Sequence, residues 1–113
     1  MIHLLYTKAT PEQVRDMLQV FHKYIKLAID IERCVLAGGG SQHADSEFAL
    51  LESGSNNDDI WGADWNPFTQ ELLYDAFLNI RPALGNRSTI LSDPTIRSKM
   101  AFVVSEFLEG VEP

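Results

Sequence analysis

Three stretches of the chain carry side chains able to do chemistry. The first, Gly38-Gly39-Gly40-Ser41-Gln42-His43-Ala44-Asp45, delivers an imidazole and a carboxylate two residues apart on a glycine-rich loop. His43 can act there as a general base. With Asp45, and with Asp30 or Glu32 from the preceding strand, it can instead hold a divalent metal ion, because imidazole nitrogen and carboxylate oxygen are ligands such ions take. The bland alternative is a loop surfaced by polar residues, since His-x-Asp has no fixed mechanistic meaning and the glycines lack a nucleotide-binding spacing.

The second stretch is Asp58-Asp59-Ile60-Trp61-Gly62-Ala63-Asp64-Trp65. On a strand, Trp61 and Trp65 share one face with small Ala63 between them, and Gly62 and Asp64 point the other way. Two such indoles form a stacking platform for a planar or sugar-like ligand, or else belong to the core or a subunit interface. The third stretch, Asn79-Ile80-Arg81-Pro82 with Asn86-Arg87-Ser88, brings two guanidinium groups and two carboxamides together. Arg81 and Arg87 suit a small anionic ligand, a carboxylate or phosphate bound bidentately. Equally, Arg81 can pair with Asp30, Glu32 or Asp64 across a sheet.

Several classes of function are disfavoured. There is no G-x-S-x-G elbow, no H-E-x-x-H, no phosphate loop and no EF-hand loop. A net charge of −7 lacks the basic footprint of a duplex nucleic-acid binder. Cys34 is the only cysteine, which excludes an intrachain disulfide and a cysteine zinc cluster and fits a reducing compartment. Between Arg33 and Val35-Leu36 it is expected mid-strand as a structural thiol. No apolar stretch is long enough for a membrane span or signal sequence, so the expected compartment is the cytoplasm.

The elements that must position these residues follow from capping and periodicity. Thr10-Pro11-Glu12-Gln13 is a helix start with a capping box, and Val14, Met17, Leu18, Phe21 and Tyr24 recur at helical spacing, which predicts a helix over 11–23. Ile25 to Glu32 alternates at period two and predicts a strand running on to Ala37, after a short N-terminal strand containing His3. Phe48–Leu51, Ile60–Trp65 and Leu72–Arg81 read as further strands joined by turns. Asp93-Pro94 opens a last helix with Ile96, Met100, Val103, Val104, Phe107 and Leu108 on its apolar stripe.

The fold class predicted for residues 1–113 is therefore α+β: one domain, with an antiparallel meander sheet of about four strands and an N-terminal and a C-terminal helix packed on one face. Its other face would carry Asp30, Glu32, Asp75, Asn79 and Arg81, as a working site, a solvated surface, or one that Leu73, Phe77 and a tryptophan bury against a second copy of the chain.

Ile29-Asp30-Ile31-Glu32-Arg33 running into Leu36-Ala37-Gly38-Gly39-Gly40 and His43-Ala44-Asp45, then Asp59 to Trp65, then Asn79 to Pro82 with Asn86-Arg87-Ser88, resemble in combination a family of small uncharacterised bacterial proteins, common in cyanobacteria and classed as a domain of unknown function. The resemblance covers nearly the whole chain and implies a bacterial cytosolic origin. It carries no activity, substrate or catalytic residue. The function expected from the residues is a small binding or interaction domain, homodimeric or binding a small anionic or planar ligand. The alternative is a metal-assisted hydrolase with its acidic and histidine side chains on a divalent ion and Arg81 on the substrate.

Overall fold

The computed structural model describes every residue from Met1 to Pro113. Strands β1 (His3–Leu5), β2 (Ile25–Asp30), β3 (Val35–Gly38), β4 (Ile60–Asn66) and β5 (Glu71–Leu73) form one sheet in the order β1-β3-β2-β4-β5, with every neighbouring pair antiparallel. Helices α1 (Pro11–Met17), α2 (His43–Glu52) and α3 (Pro94–Phe107) cover it.

The expected pair of terminal helices does pack on one face. Ile25, Leu27 and Ile29 stand opposite Trp65, Ala63 and Trp61 in the β2–β4 register. These six side chains form one core with Val14 and Met17 of α1 and Met100, Val103, Val104 and Phe107 of α3. Both helices start where capping chemistry places them. The Gln13 amide donates to Thr10 Oγ1 at 3.1 Å while Gln13 Oε1 accepts from the Thr10 amide at 2.9 Å. Asp93 Oδ1 accepts from the amides of Thr95 and Ile96. However, α1 stops at Met17 rather than residue 23: the Gln19 amide bonds back only three residues to Asp16, and His22 takes a left-handed φ of 65°. Phe21 and Tyr24 then stack on each other, ring centroids 4.8 Å apart, instead of extending the helix stripe.

The long strand expected over 25–37 is a hairpin of β2 and β3. Thirteen extended residues would span about 43 Å, more than the 38 Å long axis of the molecule. The chain turns because Asp30 Oδ1 accepts from the amides of Glu32 and Arg33, both at 2.9 Å, and Cys34 adopts a left-handed φ of 57°. Cys34 is thus a half-buried turn residue, not a mid-strand one. Burial, and secondarily Glu106, pushes its thiol pKa up, which disfavours the reactive thiolate.

Phe48–Leu51, expected as a strand, lies in α2, and this changes the architecture. Strands β3 and β4 are each antiparallel to β2 and so parallel to one another, which a tight turn cannot join. Helix α2 makes that crossover over the second face, and Leu50 packs there on Ala28, Val35, Ala37 and Ile60 in a smaller core. Only the β2–β3 and β4–β5 connections are hairpins. The face expected to be polar and open is therefore half roofed.

The strand expected over 72–81 pairs with β4 only through Glu71–Leu73. Beyond it the chain leaves the ladder in two short 3-10 turns, Phe77–Asn79 and Pro82–Leu84. In its place the side chain of Asn79 closes the β4 edge: its Oδ1 accepts from the Gly62 amide at 2.7 Å and its Nδ2 donates to the Gly62 carbonyl at 2.9 Å. Gly62 is required there, because a Cβ would lie 2.6 Å from the Cβ of Ala76.

Candidate functional site

Helix α2 packs over Ala28, and Ala76 and Leu78 stand against Gly62, which leaves the Lys26 and Asp64 end of that sheet face only partly covered. In register, Lys26 faces Asp64, Asp64 faces Leu73 and Asn66 faces Glu71 on this side. Two cavities lie there. One of about 630 Å³ is lined by Phe21, Lys26, Ser41, Gln42, His43, Ala44, Glu47, Phe77 and Leu78. Its smaller neighbour, about 260 Å³, is lined by Lys23, Tyr24, Asp64, Asn66, Glu71 and Leu73.

His43 and Asp64 meet at this place. The imidazole Nε2 donates to Asp64 Oδ1 at 2.7 Å, and both side chains are largely buried. His43 is aimed by the chain before it. Gly38, Gly39 and Gly40 are buried rather than a flexible loop. Gly39 has φ 106°, and a Cβ on it would fall 2.2 Å from the Met1 carbonyl oxygen. Asp45 Oδ2 accepts from the Gln42 amide at 3.0 Å and fixes the first turn of α2. One turn further on the same helix face, Glu47 Oε2 accepts from Arg81 Nη2 at 2.9 Å. Two polar ties thus hold α2, one to β4 through Asp64 and one through Arg81 to the segment between the two 3-10 turns, and His43 and Glu47 line the larger cavity.

Lys26 stands differently from every other charge in that lining. Although Asp64 is its cross-strand neighbour, the Lys26 ammonium makes no ion pair or hydrogen bond and sits 4.9 Å from the centroid of the Phe21 ring.

The other sequence candidates are dispersed. Trp61 and Trp65 are 2% and 1% exposed within the main core, so neither offers an open stacking face. Trp65 only edges a shallow cavity against α3. They point away from Asp64, and the pairing of a tryptophan with Leu73 and Phe77 on one interface face does not occur. Leu73 and Phe77 themselves are exposed. Arg81 is not free for an anion: Nε donates to the Leu78 carbonyl, Nη1 to the carbonyl and Oδ1 of Asn57, Nη2 to Glu47, and the guanidinium lies 5.6 Å from the Trp61 ring centroid. Asn79 and Asn86 are buried framework, Asn86 Nδ2 donating to the Asn79 carbonyl at 2.8 Å. Arg87 is exposed and makes no side-chain hydrogen bond.

The metal expectation fails on geometry. Asp30 is wholly buried at the β2 turn with Oδ2 unpartnered, Glu32 pairs at the surface with Lys99 at 3.6 Å, and Asp45 caps α2. No group of three or more His, Cys, Asp or Glu side chains converges to hold an ion.

The model of a family described as a protein of unknown function, DUF5674, matches residues 3–107. The chain belongs to this family. No curated protein and no solved structure matches it. No helix of this DUF5674 protein is long and apolar enough to cross a membrane.

One acidic cluster gives a direct stability test. Burial first, then the charges of Asp30, Glu32 and Asp58, raise the Asp59 pKa against the opposing pull of Lys99. A carboxyl with a raised folded-state pKa favours folding while protonated, and that contribution is lost as pH rises through this pKa. Asp59→Asn is therefore expected to raise Tm at neutral pH, with the gain shrinking as pH falls toward about 4. Thermal melts of both proteins across that range check it, and an unchanged or lower Tm at neutral pH would contradict the assignment.

Proposed function

We propose that the protein is a small cytoplasmic binding domain that seats a small organic ligand in the cavity at the start of α2. The observation that supports this reading is the cavity itself: about 630 Å³, a size typical of ligand sites, at the end of the sheet face that is only partly covered. Its walls are preorganised, because His43 is held by Asp64 and Glu47 by Arg81. Phe21, Phe77 and Leu78 supply apolar surface, and Ser41 and Gln42 supply directional polar groups.

Ala44 gives a clean block, since it lines the cavity yet is exposed on α2 and contributes nothing to either core. A thermal-shift screen of small organic acids, amines and planar heterocycles is expected to yield ligands that raise Tm for the wild type, as any ligand selective for the folded state must. Ala44→Trp should fold with an unchanged baseline Tm and lose the response. Ligands that stabilise both proteins equally would place binding elsewhere.

A second reading rests on His43. With Nε2 donating to Asp64, Nδ1 makes no hydrogen bond and is the atom able to accept a proton from water or a ligand hydroxyl. In that reading the domain is a metal-independent hydrolase with His43 as general base. His43→Gln would then lower turnover of a responsive ester about a hundredfold or more, whereas Asp45→Asn would leave it within a few-fold.

A further inference from the structure

We propose that the ligand of this cavity is an organic anion, a carboxylate or phosphate monoester on an apolar body, and that Lys26 is the residue that receives its charge. This rests on the cavity being a ligand site, as argued above, and adds the chemistry it selects.

The lining contains three side chains able to carry charge, and two of them are already committed. Glu47 is bound by Arg81 and His43 by Asp64, each below 3 Å. Lys26 is committed to nothing: no carboxylate oxygen approaches its ammonium within ion-pair distance, although the chain carries 16 acidic residues and a net charge of −7. The one carboxylate placed beside it by the register, Asp64, is turned to His43. The Phe21 ring, itself stacked on Tyr24, holds the ammonium by its face at 4.9 Å, which positions a cation without neutralising it. A half-buried lysine left with three unused donors above an open cavity is suited to an incoming anion, where the contact gains strength from partial desolvation. The apolar part of the ligand would lie along Phe77 and Leu78, which line the same cavity. In a chain this acidic, the free ammonium also discriminates: a neutral or cationic ligand of the same shape would leave Lys26 unpaired and gain nothing from it.

The test is a calorimetric or NMR titration of the wild type, Lys26→Met and Ala44→Trp with benzoate, phenyl phosphate, benzamide and benzylamine. Methionine keeps the stem against Phe21, and an unchanged Tm confirms that the variant is folded. The expected result is that benzoate or phenyl phosphate binds the wild type about tenfold or more tightly than benzamide, and that Lys26→Met removes this difference. Which of the two anions binds better tells a carboxylate ligand from a phosphate monoester. Equal binding of benzoate, benzamide and benzylamine, abolished by Ala44→Trp, would overturn the anion assignment and leave the cavity standing. Anion preference that survives Lys26→Met would overturn the role of Lys26. Absence of binding by every probe would overturn both the ligand class and the cavity as the site.

Discussion

Asn79→Ala is expected to lower the unfolding free energy by about 3–5 kcal/mol, because it strands buried backbone rather than merely deleting a side chain. The carboxamide does the work of a missing strand. It satisfies both the amide and the carbonyl of Gly62 and also donates to the Thr89 carbonyl at 3.2 Å. Alanine leaves a donor and an acceptor of Gly62 unpaired at a wholly buried position, and each such group costs about 1–3 kcal/mol. Against a total stability of roughly 5–15 kcal/mol for a domain of this size, that is a large fraction. Denaturant unfolding followed by tryptophan fluorescence measures it, with exposed Arg87→Ala as the control expected within about 0.5 kcal/mol. A loss below about 1 kcal/mol for Asn79→Ala would mean that the clamp does not hold this edge.

Trp65→Ala carries the second large effect, about 3–5 kcal/mol. The indole is 1% exposed and belongs to the core that α1 and α3 share with the sheet, so its removal opens a cavity that the surrounding helices can close only in part. Trp65→Phe should recover a good part of the loss. The same burial predicts that acrylamide quenches indole fluorescence weakly in the folded wild type, whereas a ligand-stacking platform would quench readily. A substitution cost under about 1 kcal/mol together with strong quenching would contradict the core assignment and return both tryptophans to the surface.

Locally determined features were legible in the sequence. Thr10 with Gln13, and Asp93 with Pro94, satisfy orphan amides within one turn, so residue type and spacing suffice to place both helix starts. The alternation of Ile25, Leu27 and Ile29 likewise identified the central strand and its buried face. The hairpin that follows was hidden because the alternating pattern runs straight through the turn. The signals that bend it are a side-chain oxygen of Asp30 bonding two amides and a left-handed Cys34.

Helix α2 was hidden for a different reason. Phe48-Ala49-Leu50-Leu51 fits a strand as well as a helix, and the residue before the helix is Gln42 rather than one of the strongly capping types. The placement of α2 also governs most of the site. His43 and Asp64 each stood out, but their meeting depends on where α2 lies. Glu47 becomes visible only as the residue one turn beyond His43, and Lys26 reads simply as a polar residue of an alternating strand, because nothing in a sequence says which of its neighbours is already taken. Arg81 is the opposite case: it has the right chemistry for an anion, but its donors are spent within the fold.

The central claim is that the cavity beside α2 is where this protein binds. Backbone amide shift mapping of the ¹⁵N-labelled wild type with benzoate and phenyl phosphate tests it most directly. The predicted result is a compact set of shifted amides around Lys26, Ser41 to Ala44, and Phe77 and Leu78, absent in Ala44→Trp. Shifts centred on Arg87 or the edge of Trp65, or none at saturating probe, would contradict it.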